Sequence, residues 1–175
     1  MLNIKPIISS HNKAILSTNV QQDDRTCNCT NKDMCPMYQN CLINNIVYEA
    51  TLRSDLPDYG EKKYIGLCES TFKTRFNGHK TSFNLERYRN KTTLSTEFWR
   101  VKDSGGVPSV TWRVLRKSKS FTPESGRCAL CAAEKFEIVN YPDKNLPNKR
   151  SEIMAKCRHR RKFDLELFDG KIDVT

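Results

Sequence analysis

Seven of the eight cysteines fall into two groups, and one stands apart. Cys27, Cys29, Cys35 and Cys41 crowd into RTCNCTNKDMCPMYQNC, a turn-rich segment with no helical period. Such a segment cannot build an apolar core of its own, and four thiolates can close a tetrahedral zinc site instead. Cys128-x-x-Cys131 together with Cys157-Arg158-His159 offers three sulfurs and one imidazole nitrogen, a common structural zinc set. The competing readings are a site mixing the two groups, a redox pair at Cys128 and Cys131, and plain core cysteines. Cys68 is expected to be a buried thiol. Disulfides would require an oxidising compartment. The opening MLNIKPIISSHNKAIL has an apolar run too short and too broken for a secretory signal.

A second set of residues could act on a phosphate. Arg75 and His79 are one helical turn apart, so their side chains point the same way, beside the stripe Phe72, Phe76 and Phe83. This spacing predicts that both sit at the rim of the core. An arginine there can grip a phosphate with paired hydrogen bonds, and an imidazole can move a proton or orient water. A solvated basic face is the alternative. Glu134 lies four residues from both Leu130 and Ile138. A carboxylate inside an apolar stripe is costly unless it is paired or binds a cation. A magnesium ion suits it, because that ion commonly uses one or two protein carboxylates; an ion pair with a basic residue is the other choice. Tyr48 and Tyr64, taken singly, are ordinary strand tyrosines.

These residues need elements to hold them. Residues 45–53 alternate, with Ile46, Tyr48, Ala50 and Leu52 on one face and Val47, Glu49, Thr51 and Arg53 on the other, which predicts a strand. Residues 62–67 form its hairpin partner across a loop with Pro57 and Gly60. A helix is expected from an N-cap at Ser70 to about Glu86, and another over 92–102 with Leu94, Phe98 and Val101 inward. Residues 109–116 alternate as a third strand. Helices follow over 128–140 and 149–157, separated by a loop with Pro142 and Pro147. The order is β-β-α-α-β-α-α: an α+β fold with a small, mainly antiparallel three-stranded sheet and zinc-stabilised ends. Residues 1–24 read as a polar tail or linker, 25–44 as the cysteine-rich zinc-binding segment, 45–163 as the main domain, and 164–175 as a C-terminal tail.

The chain has 175 residues and a net charge of +10. Such an excess points to an anionic partner, with nucleic acid the commonest, although a generic basic protein carries it too. CRHRRK at 157–162 is a dense basic run, fit for DNA backbone, a nuclear address or a solvated helix end. No run of eighteen apolar residues exists to span a membrane.

Ile46-Val47-Tyr48, then Tyr64-Ile65-Gly66, then Arg75 and His79 on one helix and Glu134 on a later one resemble the GIY-YIG endonuclease superfamily. The phrases YIGLCESTFKTRFNGHKTSF and RCALCAAEKFEIV, with the upstream cysteines, are similar to the domain carried by Penelope-like retroelements. The resemblance covers about residues 25–163. It implies a GIY-YIG-like fold and a catalytic set of Tyr48, Tyr64, Arg75, His79 and Glu134. An asparagine after the glutamate helix also recurs in the family; Asn148 takes that place, with Asn145 the alternative. The resemblance further implies catalytic magnesium or manganese on Glu134, structural zinc, and cutting of DNA in the nucleus to serve element insertion. No polymerase motif is recognisable, so a reverse transcriptase is expected on a longer or separate chain. The short polar N-terminus reads as a fragment or degenerate copy. One departure is visible: the first tripeptide reads Ile46-Val47-Tyr48, so the family's glycine is missing, while the catalytic tyrosine position is kept.

Overall fold

The computed structural model describes residues 26–122, 128–142, 146–154, 156, 157 and 159. The two tails expected at 1–24 and 164–175, residues 123–127 of the polar loop, Asn145, and Arg158 and 160–162 of the basic run lie outside them.

The fold is α+β, built on three antiparallel strands: β1 (Ile46–Ser54), β2 (Lys62–Cys68) and β3 (Pro108–Lys117), in the order β2-β1-β3. Among the described residues four helices accompany them: α1 (Phe72–Asn84), α2 (Thr93–Asp103), α3 (Ala129–Val139) and α4 (Arg150–Met154). The expected element order is found.

The central strand β1 is buried from Ile46 through Leu52 because both of its faces are covered. Alternation sends Ile46, Tyr48, Ala50 and Leu52 to one side, against Phe72 and Phe83 of α1, Leu94 of α2 and Trp112 of β3. Val47 points the other way and joins Ile65 with Leu130, Ala133 and Ile138 of α3. Between Val47 and Tyr48 the β3 register slips, from Arg116 opposite Val47 to Val114 opposite Tyr48. Leu115 is the extra residue of this bulge, which leaves Val114 and Trp112 on the tyrosine side.

Helix α1 is capped by Thr71 rather than the expected Ser70, its hydroxyl facing Thr74 N–H at 3.4 Å. It ends at Asn84, and Glu86–Tyr88 forms a separate 3-10 turn. The first two α1 N–H groups, of Phe72 and Lys73, donate to the carbonyls of Ile43 and Cys41, each at 2.8 Å. The cysteine-rich segment thus satisfies donors that a helix start leaves open. Helix α2 opens on a capping box in which Thr92 and Ser95 exchange hydrogen bonds.

Gly66 faces Tyr48 directly across the β1–β2 ladder. A Cβ added there would lie 2.7 Å from the Tyr48 hydroxyl oxygen and 2.9 Å from a Tyr64 ring carbon. Both rings are buried and cannot yield cheaply. Gly66→Ala is expected to destabilise the fold by roughly 1–3 kcal/mol. Gly78→Ala, in α1 where an added Cβ meets nothing within 4 Å, should stabilise it by about 0.5–1 kcal/mol. Urea midpoints of the two variants against wild type check the contrast.

Candidate active site and metal centres

Strand β1 delivers Tyr48 to the middle of the sheet, and α1 lies across it. The Tyr48 oxygen accepts from Arg75 Nε at 3.0 Å and sits 2.8 Å from His79 Nε2. The helical spacing of Arg75 and His79 thus brings both onto one phenol. Phe72 and Trp112 pack on the phenol ring at 5.3 and 5.8 Å. Trp112 also lies 5.1 Å from the His79 ring.

The depth of His79 corrects the sequence expectation. It is not at the rim: only 2% of it is exposed, because Phe83 and Trp112 close over it. Burial first, then the charges of Arg75 and Lys91, push its pKa down to about 3, so the imidazole is neutral at physiological pH. Burial pushes Tyr48 up to about 12 although Arg75 opposes it. With the imidazole proton on Nδ1, the phenol donates to Nε2 while accepting from Arg75. Tyr64, on β2 beside the Tyr48 ring, is pushed well above its ordinary value by burial and then by its tyrosine neighbour.

Arg75 holds its charge firmly: burial works against it, and Tyr48, Tyr64 and Cys68 outweigh that burial. Its one hydrogen bond among the described residues is to Tyr48. A guanidinium has five N–H donors, so most of the fork remains for an incoming anion. Cys68 is buried as expected, and burial pushes its thiol up to about 11.

Glu134 projects from α3, which covers the opposite side of the sheet, yet it belongs to the same electrostatic neighbourhood. Its pKa is pushed up to about 7, by burial first and then by the carboxylate of Glu152. Arg75 and the Leu67 backbone N–H, on the free edge of β2, act in the other direction. Glu134 in turn acts on both Tyr48 and Tyr64. Among the described residues no salt bridge to it is formed; the charges of Arg75 and Lys135 oppose the rise without overcoming it.

Asn148 does a different job from the other five. Its Oδ1 accepts from Ile65 N–H at 2.9 Å and its Nδ2 donates to Ile65 O at 2.8 Å. The amide imitates a neighbouring strand and closes the outer edge of β2. Its second Nδ2 proton goes to Glu152 Oε2 at 3.0 Å. Glu152 also accepts from Lys149 N–H and from Thr93 Oγ1, tying α4 to α2. Asn148 is thus a positioning residue held against the strand that carries Tyr64.

Two carboxylates escaped the sequence reading. The first is Glu152; its signal was an acidic third residue in a short helix, as in a capping box. The second is Glu49, buried on β1 and pinned by Arg113 at 2.9 and 2.7 Å, by Tyr141 at 2.5 Å and by Thr51 at 3.2 Å. Burial would raise its pKa, but these donors outweigh burial and lower it. With its oxygens saturated, Glu49 binds β1, β3 and the chain after α3 together.

The cysteines gather as two sets of four ligands, each set with its ligand atoms within 4.8 Å of one another: Cys27, Cys29, Cys35 and Cys41, and Cys128, Cys131, Cys157 and His159. In the first set, sulfurs stand 3.6–3.7 Å apart. Four thiolates at about 2.3 Å from a tetrahedral zinc would be separated by roughly 3.8 Å. In the second, Cys131 and Cys157 are 3.6 Å apart, and His159 Nδ1 lies 3.2, 3.3 and 3.7 Å from the three sulfurs. Both sets could hold structural zinc, and the two groups do not mix. All eight cysteines are free thiols, not disulfides.

No family model, curated protein or solved structure matches this chain. Among the described residues no helix is long and apolar enough to cross a membrane.

The Glu134 carboxyl gives a stability test. Its pKa is about 7 in the fold against an ordinary 4.5. A raised group stabilises fully below its unfolded value, and that stability is lost as the pH climbs through the folded one. At pH 8 the buried charge costs on the order of 2–3 kcal/mol. Glu134→Gln is expected to melt at a higher temperature than wild type at pH 8, in zinc-loaded, magnesium-free buffer. The gap should shrink toward pH 5.

Proposed function

We propose that this chain is a divalent-cation-dependent endonuclease that hydrolyses DNA phosphodiester bonds. In this reading it is a GIY-YIG enzyme of the type carried by Penelope-like retroelements and works in the nucleus. It would serve element insertion beside a reverse transcriptase on a longer or separate chain. The observation that carries the reading is the Tyr48 hydroxyl held by Arg75 and His79, with the partly buried Glu134 in the same field. A pure nucleic-acid binder has no use for a costly carboxylate beside a buried phenol.

Glu134 fits a magnesium or manganese ion. Its carboxylate is desolvated and repelled by Glu152, so a divalent ion would relieve what raises its pKa. Such an ion, when bound, polarises the scissile phosphate and stabilises the leaving oxygen. Arg75 presents its free N–H donors to the phosphate and meets the charge that grows there. A phosphate on Arg75 offsets one of the charges that hold His79 down, which makes the imidazole a better proton acceptor. The Tyr48 phenol can then take a proton from water as it passes its own to His79. Tyr64, buried beside Tyr48, would position the water, and Asn148 holds the β2 backbone at the neighbouring Ile65.

A second reading is a zinc-stabilised nucleic-acid-binding module without catalysis. The net charge of +10 and the two four-ligand clusters favour it, since neither requires the Tyr48 site.

Nicking of supercoiled plasmid by zinc-loaded protein separates the two readings. Magnesium-dependent nicking is expected of wild type. Glu134→Ala should abolish it while leaving DNA binding measurable, and Tyr48→Phe should slow it by about 100-fold or more. Wild-type rates in Glu134→Ala would remove the metal role, and no nicking by wild type would leave the binding module.

A further inference from the structure

The imidazole of the second cluster has a partner on its far side. His159 Nδ1 faces the three sulfurs, while Nε2 lies 3.3 Å from Glu69 Oε2. An imidazole that ligates a metal through Nδ1 carries its proton on Nε2, and that N–H needs an acceptor. Glu69 supplies one from a fixed place. It directly follows Cys68 at the end of β2, and its backbone carbonyl accepts from Asn45 N–H at 3.2 Å, just before β1. The His159 side chain is 9% exposed and that of Glu69 49%. An ion pair this open to water would contribute little as a surface contact. Behind a metal-ligating imidazole the same carboxylate fixes the tautomer and ring orientation and raises the basicity of the ligand nitrogen.

We propose that Glu69 is a functional part of the second metal centre, holding His159 in its ligating orientation and fastening that centre to the end of β2. The inference rests on the reading of Cys128, Cys131, Cys157 and His159 as a zinc site. The centre then clasps three separate segments: the start of α3 through Cys128 and Cys131, the C-terminal segment through Cys157 and His159, and the strand bearing Tyr64 through Glu69.

The test is a zinc competition titration of the full chain against a chromophoric chelator. Cobalt substitution accompanies it, because four-sulfur and three-sulfur-one-nitrogen sites differ in their visible bands. Wild type is expected to bind two zinc ions. Glu69→Ala should weaken the second site by about 10–100-fold and leave the four-cysteine site unchanged. Glu69→Gln, which keeps an acceptor oxygen without the charge, should fall between the two. Wild-type affinity at both sites in Glu69→Ala would overturn the role of Glu69 while sparing the zinc site. Equal weakening of both sites would overturn it too, as general destabilisation. A wild-type chain that binds a single zinc, at the four cysteines, would overturn the zinc reading of the second cluster and this inference with it.

Discussion

A phenol buried between a guanidinium and a neutral imidazole is the constraint around which the molecule is arranged. Tyr48 is wholly buried, so its oxygen must find its partners inside the protein, and α1 supplies both from one face. That requires α1 to cross the sheet at one height, which the Phe72 contact with Tyr48 and Trp112 secures. It requires an opposite residue without a side chain, which is Gly66. It also requires β3 to bring Trp112 to the same side, with a bulge intervening beside Tyr48. Burial then sets the chemistry, since it raises Tyr48, lowers His79 and leaves Arg75 as the fixed charge.

The two clusters of metal-ligating residues stand at the starts of the helices that carry the polar groups. The four-cysteine segment receives the first N–H groups of α1, which bears Arg75 and His79. The second cluster begins with Cys128, the N-cap of α3, whose sulfur faces Cys131 N–H at 3.5 Å. Helix α3 bears Glu134. Zinc in either place would add a second hold on a helix entry whose first apolar residues, Phe72 and Leu130, are already in the core. Between the helices, the outer edge of β2 is closed by Asn148 rather than by another strand.

Periodicity exposed most of the scaffold. The alternation over 45–53 marked the faces of β1, and the Leu94, Phe98 and Val101 stripe of α2 points inward, with Phe98 stacked on Phe83 at 4.1 Å. Cysteine spacing gave the two metal sets as they are grouped in space. What the sequence hid was depth and pairing. Spacing placed His79 beside Arg75 but could not tell that the rings of Phe83 and Trp112 would close over it. The Asn148 bond to Ile65 spans 83 residues, and the Tyr141 bond to Glu49 spans 92; no local pattern encodes such partners. Glu152 and Glu69 were ordinary surface acids by type, and only tertiary placement gives them partners.

The central claim is that Arg75 and Glu134 receive a phosphate and a divalent cation together. Anomalous scattering from crystals of zinc-loaded protein grown with a short DNA and manganese tests it most directly. The account predicts one manganese peak at coordination distance from a Glu134 oxygen and a phosphate oxygen hydrogen-bonded to Arg75. Manganese absent from Glu134, or DNA phosphate bound only on the Glu49 side of the sheet, would contradict it.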